Sequence, residues 1–522
     1  MSPPRSAPGT RRLAALAGVL AAGVTLGVSS LAAAVVQPAS APLVAVGDAF
    51  IDVTPGWLKD AAIAVFDVHD KTALVVGMVL VLTVLAAGAG VIALRNHTLG
   101  TVGVVLLGTV GAVSAASRAD AGQLAVVPSL AGTAAGVVAL RALVDRLDPA
   151  PRPARDGAPD VTGPTAPDRR SFLNAAMVVT ALAALSAAAG SVGARVTQAA
   201  GAARELLRLP APARPAAAVP AGAQSPAVGV VDVVTPNDDF YRIDTALVVP
   251  QVDPSTWTLR VHGLVEREVT MTFAELLAAD LVETYVTLAC VSNPVGGDLV
   301  GNARWLGLPI REVLARAVPL PGADMVLSTS VDGFTASTPL AALTDDRDAL
   351  LAVGMNGEPL PLAHGFPVRM VVPGLYGYVS ATKWVTDLEV TRFADQEAYW
   401  TVRGWSAEGP IKTSSRIEVP RHRASVPAGA VTVGGTAWAQ HTGITGVEVQ
   451  VDEGEWQPVA LAAEISVDTW RQWSWSWDAE PGSHTLRVRA TDATGEAQTG
   501  DRQSMIPDGA TGWHEVTVQV SA

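Results

Sequence analysis

Five apolar segments in the first 195 residues constrain the fold of this chain more than any other feature of its sequence. Each approaches the roughly 20 residues that an α-helix needs to cross a bilayer, and many are rich in Gly and Ala, as close-packed membrane helices are. They lie at about residues 12–36, 72–94, 98–117, 121–140 and 172–194. The pattern predicts an N-terminal α-helical membrane bundle, in which the weaker third and fourth segments either span the bilayer or form a re-entrant pair.

The distribution of charge predicts how this bundle is oriented. Arginines precede the first segment, separate the second from the third and crowd the stretch between the fourth and fifth, whereas the loop after the first segment is acidic. By the positive-inside rule the N-terminus is cytoplasmic, and five spans place everything after about residue 195 on the extracytoplasmic side. Within the acidic loop, residues 55–70 favour a short helix at the membrane interface.

A Pro-rich cytoplasmic linker, residues 145–170, separates the fourth segment from the fifth. Residues 1–144 and 171–195 therefore form one anchor that this linker interrupts. The linker ends in Arg169 and Arg170 before Ser-Phe-Leu. The pair resembles a twin-arginine export signal, and an ordinary positive-inside flank explains it equally well.

Two histidines, His69 and His97, belong to the membrane half, and the predicted topology places them on opposite sides of the bilayer. They cannot ligate one haem between them, so no haem is expected. No carboxylate within the apolar segments marks a path for protons or ions. The helices are therefore expected to act as an anchor, on which a quinone or a partner subunit can still dock.

The character of the sequence changes at residue 231, after an Ala/Pro-rich tether at 196–230. Short β-prone runs now alternate with turn signals and with amphipathic helical patterns. Strand-like runs lie at 240–250, 257–265 and 325–337, and helical patterns at 272–281 and 309–318. This mixture predicts an α+β domain over residues 231–415.

The last part of the chain, residues 416–522, consists of evenly spaced short strands separated by turns such as Pro481-Gly482. That spacing predicts an all-β immunoglobulin-like sandwich. Trp473, Trp475 and Trp477 alternate along one strand, so one of its faces is aromatic. Such a stripe is more often core or interface packing than a binding surface.

Charge and cysteine content exclude several functions. A formal net charge of -13 argues against nucleic acid as a partner. Cys290 is the single cysteine, which excludes an intrachain disulfide and a Cys-rich zinc site. It follows a β-prone run and precedes a loop with Asn293 and two glycines, so its thiolate can lie at the rim of a pocket. A small buried hydrophobic residue is the other interpretation of a lone cysteine.

A second informative stretch is residues 354–384, whose many Gly and Pro residues fix an irregular path. His364, Arg369 and Lys383 lie along it. A guanidinium, an imidazole and an ammonium group on a rigid loop suit a phosphate joined to a polar heterocycle. Solvated basic side chains are the alternative explanation.

Taken together, these motifs resemble the sulfite oxidase family of molybdopterin enzymes from about Thr235 to the C-terminus. Any one of them is weak, whereas their run in this order is specific. They are Cys290 with Asn293, Gly301-Asn302-Ala303 with Trp305, Met355 to Pro361, His364 to Arg369, and Thr382-Lys383-Trp384. The resemblance implies an α+β molybdenum domain followed by an immunoglobulin-like dimerisation domain, and a homodimer through that domain as a candidate assembly.

The resemblance also implies roles for individual residues. Cys290 becomes the protein thiolate on molybdenum, which suits a metal that prefers soft ligands. The residues expected to hold the molybdopterin are Phe240, Tyr241, Arg242, Cys290, Asn293, His364, Arg369, Ser380, Thr382 and Lys383. The first three match a short strand against the cofactor, and Cys290, Arg242 and Phe334 are expected at the catalytic centre.

Three departures from the family pattern argue against sulfite as the substrate. The arginine pair that follows the ligand cysteine in sulfite oxidases is replaced by Pro294 and Val295, Arg242 comes one position early, and a pocket tyrosine is Phe334. One position along a strand turns a side chain to the opposite face. Because a buried dianion needs several cationic partners, this pocket retains the cofactor contacts and loses the anion clamp.

The sequence therefore predicts a multi-pass protein of the cell membrane with an extracytoplasmic molybdopterin domain. It is expected to transfer oxygen atoms to or from a neutral small molecule such as a sulfoxide, and to exchange electrons with a separate carrier or a quinone. Two alternatives stay open: a sulfite oxidase or dehydrogenase proper, and a non-catalytic surface protein that retains the fold without a metal.

Overall fold

The computed structural model describes residues 8–55, 58, 65–66, 70–119, 121–147, 169–196 and 199–522. Over these residues the chain divides into two compact units. The helical unit is Met1–Ala199 with Thr245–Pro250, and the larger unit is Ala200–Asp244 with Gln251–Ala522. Most of the Pro-rich linker, most of the interfacial helix expected at 55–70, and His69 lie outside the described residues.

Long apolar helices dominate the helical unit. In chain order they are α1 (Pro8–Val36), α2 (Pro42–Val53), α3 (Asp70–Ala93), α4 (His97–Ala116), α5 (Val127–Val144) and α6 (Arg169–Val196). Within the described residues, five stretches are long and apolar enough to cross a bilayer: Gly9–Val36, Lys71–Ala93, His97–Ala116, Val127–Leu147 and Arg170–Gly190. The predicted helices are confirmed, although the fourth begins later than expected because Pro128 occupies its first turn, a position that proline favours.

Small residues allow α1 to pack closely on α3. A Cβ atom added at Gly18 would overlap the carbonyl oxygen of Ala86, and one added at Gly90 would overlap that of Ala14. The two backbones are therefore in direct contact, which glycine permits and which is typical of membrane-helix interfaces.

The first part of the larger unit combines two β-sheets with short helices, as expected for an α+β domain. Its helices are α7 (Ala199–Leu206), α8 (Phe273–Leu277), α9 (Ile310–Ala317), α10 (Leu340–Thr344) and α11 (Gly377–Ser380). Its strands are β1 (Thr258–Gly263), β2 (Val269–Thr272), β3 (Val282–Ala289), β4 (Val300–Pro309), β5 (Met325–Ser330), β6 (Thr335–Pro339), β7 (Leu350–Met355), β8 (Glu358–Pro359), β9 (Arg369–Val371) and β10 (Val385–Thr391). One sheet has the order β2-β1-β10-β5-β6, and the other the order β3-β4-β7-β8, with β9 paired to β7.

The second part of the larger unit is the expected β-sandwich, here called the C-terminal domain. Its strands are β11 (Ser414–Val419), β12 (Ser425–Pro427), β13 (Gly429–Trp438), β14 (Ile444–Val451), β15 (Gln457–Pro458), β16 (Ala460–Leu461), β17 (Arg471–Ala479), β18 (Gly482–Asp492) and β19 (His514–Ser521). They form two sheets, β11-β13-β17-β16 and β12-β19-β18-β14-β15. Trp473 and Trp477 are buried in the core and Trp475 packs against it, so the tryptophan stripe is core packing.

Two segments differ from the sequence-based prediction. Residues 240–250 form no strand, and at the start of this segment the Phe240 ring packs 5.8 Å from the Trp305 ring, measured between centroids. The inference that the early position of Arg242 turns its side chain to the other face of a strand therefore fails. Residues 200–230, expected to be a tether, belong to the larger unit, where Arg214 pairs with Val282 in a parallel bridge.

Candidate active site

Cys290 begins a loop of residues 290–299 that joins β3 to β4, and we call it the cysteine loop. The Cys290 amide donates to the carbonyl oxygen of Leu299 at 2.9 Å, and the Asn293 amide donates to the carbonyl oxygen of Cys290 at 3.1 Å. The Asn293 side chain accepts from the Leu299 amide at 3.0 Å. Asn293 therefore closes the loop from within, which supports a role in placing Cys290.

The Cys290 thiol is buried, and burial raises its pKa, while a hydrogen bond with Ser292 at 2.9 Å acts in the opposite direction. The protein alone therefore favours the neutral thiol, and a cation is needed to hold a thiolate there. Within the described residues, no group of three or more His, Cys, Asp or Glu side chains could hold a metal ion. A metal at Cys290 must consequently bring its other ligands with it.

A cavity adjoins Cys290 and lies between the two parts of the larger unit. From the first part it is lined by Ala289, Asn293, Pro294, Val295, Gly296 and Tyr376. From the C-terminal domain it is lined by Ser414, Ser415, Trp438, Gln498 and Ala510. Among these described lining residues none carries a formal charge. The cavity is narrow, about 20 Å³, so its walls must move to admit a ligand larger than a water molecule.

The stretch 354–384 brings its three basic residues together, as predicted. His364 ends a short 3-10 turn and is followed by Gly365 at φ 109°, a conformation that favours glycine. A Cβ atom at Gly365 would lie 2.9 Å from the Cβ atom of Arg369 and 3.2 Å from that of Lys383. Glycine is therefore needed for the close approach of Arg369 and Lys383, which also pair through a backbone bridge.

Arg369 is a buried guanidinium, 5% exposed. It donates to the carbonyl oxygens of His364 at 3.2 Å, Met370 at 3.3 Å and Ala381 at 3.4 Å, and it lies 5.1 Å from the centroid of the Trp305 ring. Burial lowers the pKa of Arg369 to about 10. These hydrogen bonds are long, and their acceptors are neutral carbonyl oxygens. A buried cation in such surroundings is suited to an anion supplied by a ligand.

Lys383 and His364 complete this basic cluster in different charge states. The Lys383 ammonium donates to Asp244 at 2.8 Å and to the Ala363 carbonyl at 3.1 Å. Burial lowers the pKa of Lys383 to about 8, although Asp244 acts to raise it. Burial, followed by the charges of Arg369 and Lys383, lowers the pKa of His364 to about 3, so its imidazole is neutral at physiological pH.

Aromatic packing connects the basic cluster with Cys290. The Phe240 ring lies 5.2 Å from Tyr241 and 5.6 Å from His364, measured between ring centroids. Burial raises the pKa of the Tyr241 phenol, the charge of Cys290 raises it further, and the nearby Arg369 guanidinium acts to lower it. Tyr241 is therefore close enough to interact with both the thiol and the guanidinium.

The remaining predicted site residues lie in different surroundings. The Ser380 hydroxyl donates to the Tyr376 carbonyl at 2.9 Å, and Thr382 hydrogen-bonds Ser328 at 2.7 Å. Arg242 pairs with Asp244 at 2.8 Å, and Phe334 packs 5.7 Å from Tyr399. Neither Arg242 nor Phe334 is among the residues that line the Cys290 cavity.

Several site residues were missed by sequence reasoning. Asp244 holds both Arg242 and Lys383, and its position two residues after Arg242 was the available signal. Trp438 and Gln498 line the cavity from another domain, and no local motif marks them.

Comparisons with known proteins agree with this geometry. Residues 246–400 match the family model of the oxidoreductase molybdopterin binding domain. The central domain is therefore similar to the molybdopterin-binding domain of sulfite oxidases. Residues 414–488 match a bacterial Ig domain, which agrees with the sandwich.

Relatives of the molybdopterin domain include chicken (Gallus gallus) sulfite oxidase, 31% identical over 47% of this chain and 62% of that protein. Nitrate reductase [NADH] 1 of rice (Oryza sativa subsp. japonica) is 30% identical over 48% of this chain and 34% of that protein. The chain thus spans less than two thirds of the length of either relative. Among solved structures, the sulfane dehydrogenase SoxCD of Paracoccus pantotrophus covers 55% of this chain and 84% of its own, at 22% identity and a TM-score of 0.47.

The residues present fit a molybdenum–molybdopterin cofactor. Cys290 can provide one thiolate, and no group of three or more metal-binding side chains exists among the described residues. A single protein ligand suits a metal that is already bound by the ligands of its cofactor. Arg369 and Lys383 offer buried cationic donors for a phosphate. The Ser330 hydroxyl, on the strand position paired with Val385, is buried without a hydrogen-bond partner among the described residues.

Proposed function

We propose that this chain is a membrane-anchored molybdenum oxidoreductase that transfers an oxygen atom to or from a neutral small molecule. The observation that carries the proposal is the cavity beside Cys290, whose described lining residues are all uncharged. Apolar walls come from residues such as Val295 and Ala510, and neutral polar side chains from Ser414 and Trp438. A sulfoxide or N-oxide matches such a pocket in both polarity and charge.

The protein's part in the reaction is to bind and orient. When bound, the molybdenum cofactor supplies the two-electron redox change and the exchange of the oxygen atom. Cys290 would hold the metal, while Arg369 and Lys383 would hold the phosphate and His364, being neutral, the polar heterocycle. Tyr376 and Trp438 line the cavity beside Cys290 and would exclude water from the thiol.

Sulfite is disfavoured by the same pocket. Transfer of a dianion into a partly buried cavity costs several kcal/mol per charge unless cationic groups meet it. Pro294 and Val295 line the cavity where sulfite oxidases place the arginine pair, and Arg242 is held by Asp244. Each missing charge-assisted hydrogen bond is worth about 1.5–3 kcal/mol, or about 10- to 150-fold in kcat/KM.

The setting of the reaction is part of the proposal. The five helices of spanning length in the described part of the chain and the arginine-rich inner loops support an anchor with the molybdopterin domain on the extracytoplasmic side. Electrons would pass to or from a separate carrier or a quinone, and the C-terminal domain would support a homodimer.

Steady-state kinetics with an artificial dye test the proposal. Purified protein from a cofactor-competent host should hold close to one molybdenum per chain. It should reduce a neutral sulfoxide or N-oxide with a reduced dye at a far higher kcat/KM than it oxidises sulfite, and sulfate should inhibit it little. Efficient sulfite oxidation with strong sulfate inhibition would instead favour the activity for which the chicken relative is named. A folded protein without metal would favour a non-catalytic surface protein.

A further inference from the structure

A buried ion pair on the first strand of the C-terminal domain contacts the cysteine loop. On β11, the Arg416 Nε atom lies 2.7 Å from a carboxylate oxygen of Glu418, with side chains 7% and 8% exposed. Removal of two charges from water is costly, so a buried pair is weak evidence for stability alone. The pair is therefore better explained by the groups that it holds in position than by its effect on stability.

The guanidinium of Arg416 reaches from this pair into the cysteine loop. Its Nη1 atom donates to the carbonyl oxygen of Gly297 at 2.8 Å. The Arg416 Cζ atom also lies 6.0 Å from the Trp438 ring and 5.8 Å from the Trp470 ring. Two tryptophans and one carboxylate therefore restrict where the donor can lie.

Glu418 is itself held in place from two sides. One of its oxygens accepts from the Thr436 hydroxyl at 2.9 Å, and the other accepts from the Val231 amide at 2.8 Å. The carboxylate that orients Arg416 is thus tied to β13 and to the chain that enters the larger unit. The donor to the cysteine loop is preorganised rather than a mobile surface arginine.

The cysteine loop rests on the C-terminal domain at a second point. Gly296 has φ 78°, and a Cβ atom added there would overlap the His514 ring. The Nδ1 atom of His514 accepts a hydrogen bond of 3.0 Å from the Ile417 amide. Burial, followed by the charge of Arg416, lowers the pKa of His514 to about 4, so the ring is a neutral platform beneath Gly296.

Contacts within the loop transmit this restraint to the thiol. The Gly297 amide donates to the Pro294 carbonyl at 2.9 Å, and Asn293 and Leu299 are hydrogen-bonded to each other and to Cys290. A displaced Gly297 would therefore disturb the turn that carries Cys290. We propose that Arg416 is a positioning residue for Cys290, so that the C-terminal domain sets the thiol geometry that a metal there requires.

This inference rests on the proposed function for its purpose, but its test does not require turnover. Because Cys290 is the single cysteine, the rate at which a thiol reagent labels the cofactor-free full-length protein reports on opening of the cysteine loop alone. Arg416→Met should accelerate labelling on the order of tenfold or more. In cofactor-loaded protein it should weaken molybdenum retention by about 10- to 100-fold, the effect typical of groups that orient metal ligands.

Two further variants separate positioning from general destabilisation. Arg416→Met with Glu418→Gln removes the unpaired buried carboxylate and should still label fast. Arg489→Met is the matched control, since Arg489 also pairs with a glutamate, Glu448 at 2.8 Å, and also lies over a tryptophan, 4.3 Å from the Trp456 ring. It should label at the wild-type rate.

The outcomes distinguish this inference from the proposed function. If the folded double variant labels and retains molybdenum like wild type, Arg416 does not position Cys290. If Arg489→Met accelerates labelling equally, the effect is general and the inference is also overturned. If Arg416→Met accelerates labelling in a protein that never takes up molybdenum, the positioning role stands and the proposed function fails. Should Arg416→Met fail to fold, Arg416→Lys, which keeps the charge but not the planar fork, should show intermediate labelling.

Discussion

Replacement of Arg369 by methionine should stabilise the cofactor-free protein and weaken its hold on the cofactor. Burial lowers the pKa of Arg369 from its ordinary value above 12 to about 10. At 1.36 kcal/mol per tenfold change in an ionisation equilibrium, the charge is disfavoured by about 3 kcal/mol. Loss of the contact with the Trp305 ring at 5.1 Å offsets about 1 kcal/mol of this, and loss of the long bonds to carbonyl oxygens offsets somewhat more. The net gain should be on the order of 1 kcal/mol or less.

Thermal unfolding followed by tryptophan fluorescence is the appropriate assay, because most tryptophans lie from Trp305 onward. For full-length protein from a host without the cofactor, Arg369→Met should raise the Tm by roughly 1–2 °C. For protein from a cofactor-competent host, the same variant should lose most of its molybdenum. Arg392→Met, at an exposed arginine paired with Asp395, should change neither quantity appreciably.

The opposite sign would refute the reasoning. If Arg369→Met lowers the Tm of cofactor-free protein by as much as a core cavity does, then the carbonyl oxygens and Trp305 already compensate the buried charge. Arg369 would then be a structural residue, and the basic cluster would lose its strongest argument for an anionic ligand.

Three further predictions concern pH and topology. Burial lowers the pKa of Lys383 to about 8, so its ammonium loses its proton in the folded protein as pH rises through 8, and cofactor retention in dialysis should fall above that pH. The cofactor-free protein should instead gain stability between about pH 8 and 10.5, because over that range the unfolded chain binds the proton more tightly than the folded one. The low pKa of His364, about 3 against an ordinary 6.5, means that the unfolded chain binds its proton first, so stability should fall as pH drops from 6.5 towards 3 in chemical unfolding curves. A reporter fused after Ala522 should be extracytoplasmic and one fused near Ala150 should be cytoplasmic. If the arginine pair at 169–170 is an export signal, its change to lysine should leave folded, cofactor-loaded protein inside the cell.

Local sequence patterns predicted much of the fold, because hydrophobic length and strand spacing are local properties. The apolar segments became helices, and Trp473 to Trp477 became the core of a sandwich. The stretch from His364 to Lys383 also brought its basic groups together, since its glycines and prolines leave the backbone few alternatives. By contrast, the β-prone segment from Phe240 to Pro250 forms no strand, because a strand needs a pairing partner elsewhere in the chain and propensity alone does not supply one.

The walls of the site were beyond local reasoning. The residues that reach Cys290 and its loop from the C-terminal domain are Trp438, Gln498 and Arg416. All three lie more than 120 residues after Cys290 in the chain. Nothing in their neighbouring residues distinguishes them from ordinary sandwich positions. Their role depends on how two folded parts meet, and that information is not periodic in the sequence.

X-ray absorption at the molybdenum edge, on wild type and Cys290→Ser, tests the central claim most directly. If Cys290 holds the metal, the spectrum of the folded variant should show one sulfur ligand fewer than that of wild type, and the variant should have lost activity with sulfoxide and sulfite alike. Identical sulfur ligation in the two proteins would contradict the account, because the metal would then be held without the one cysteine that this chain contains.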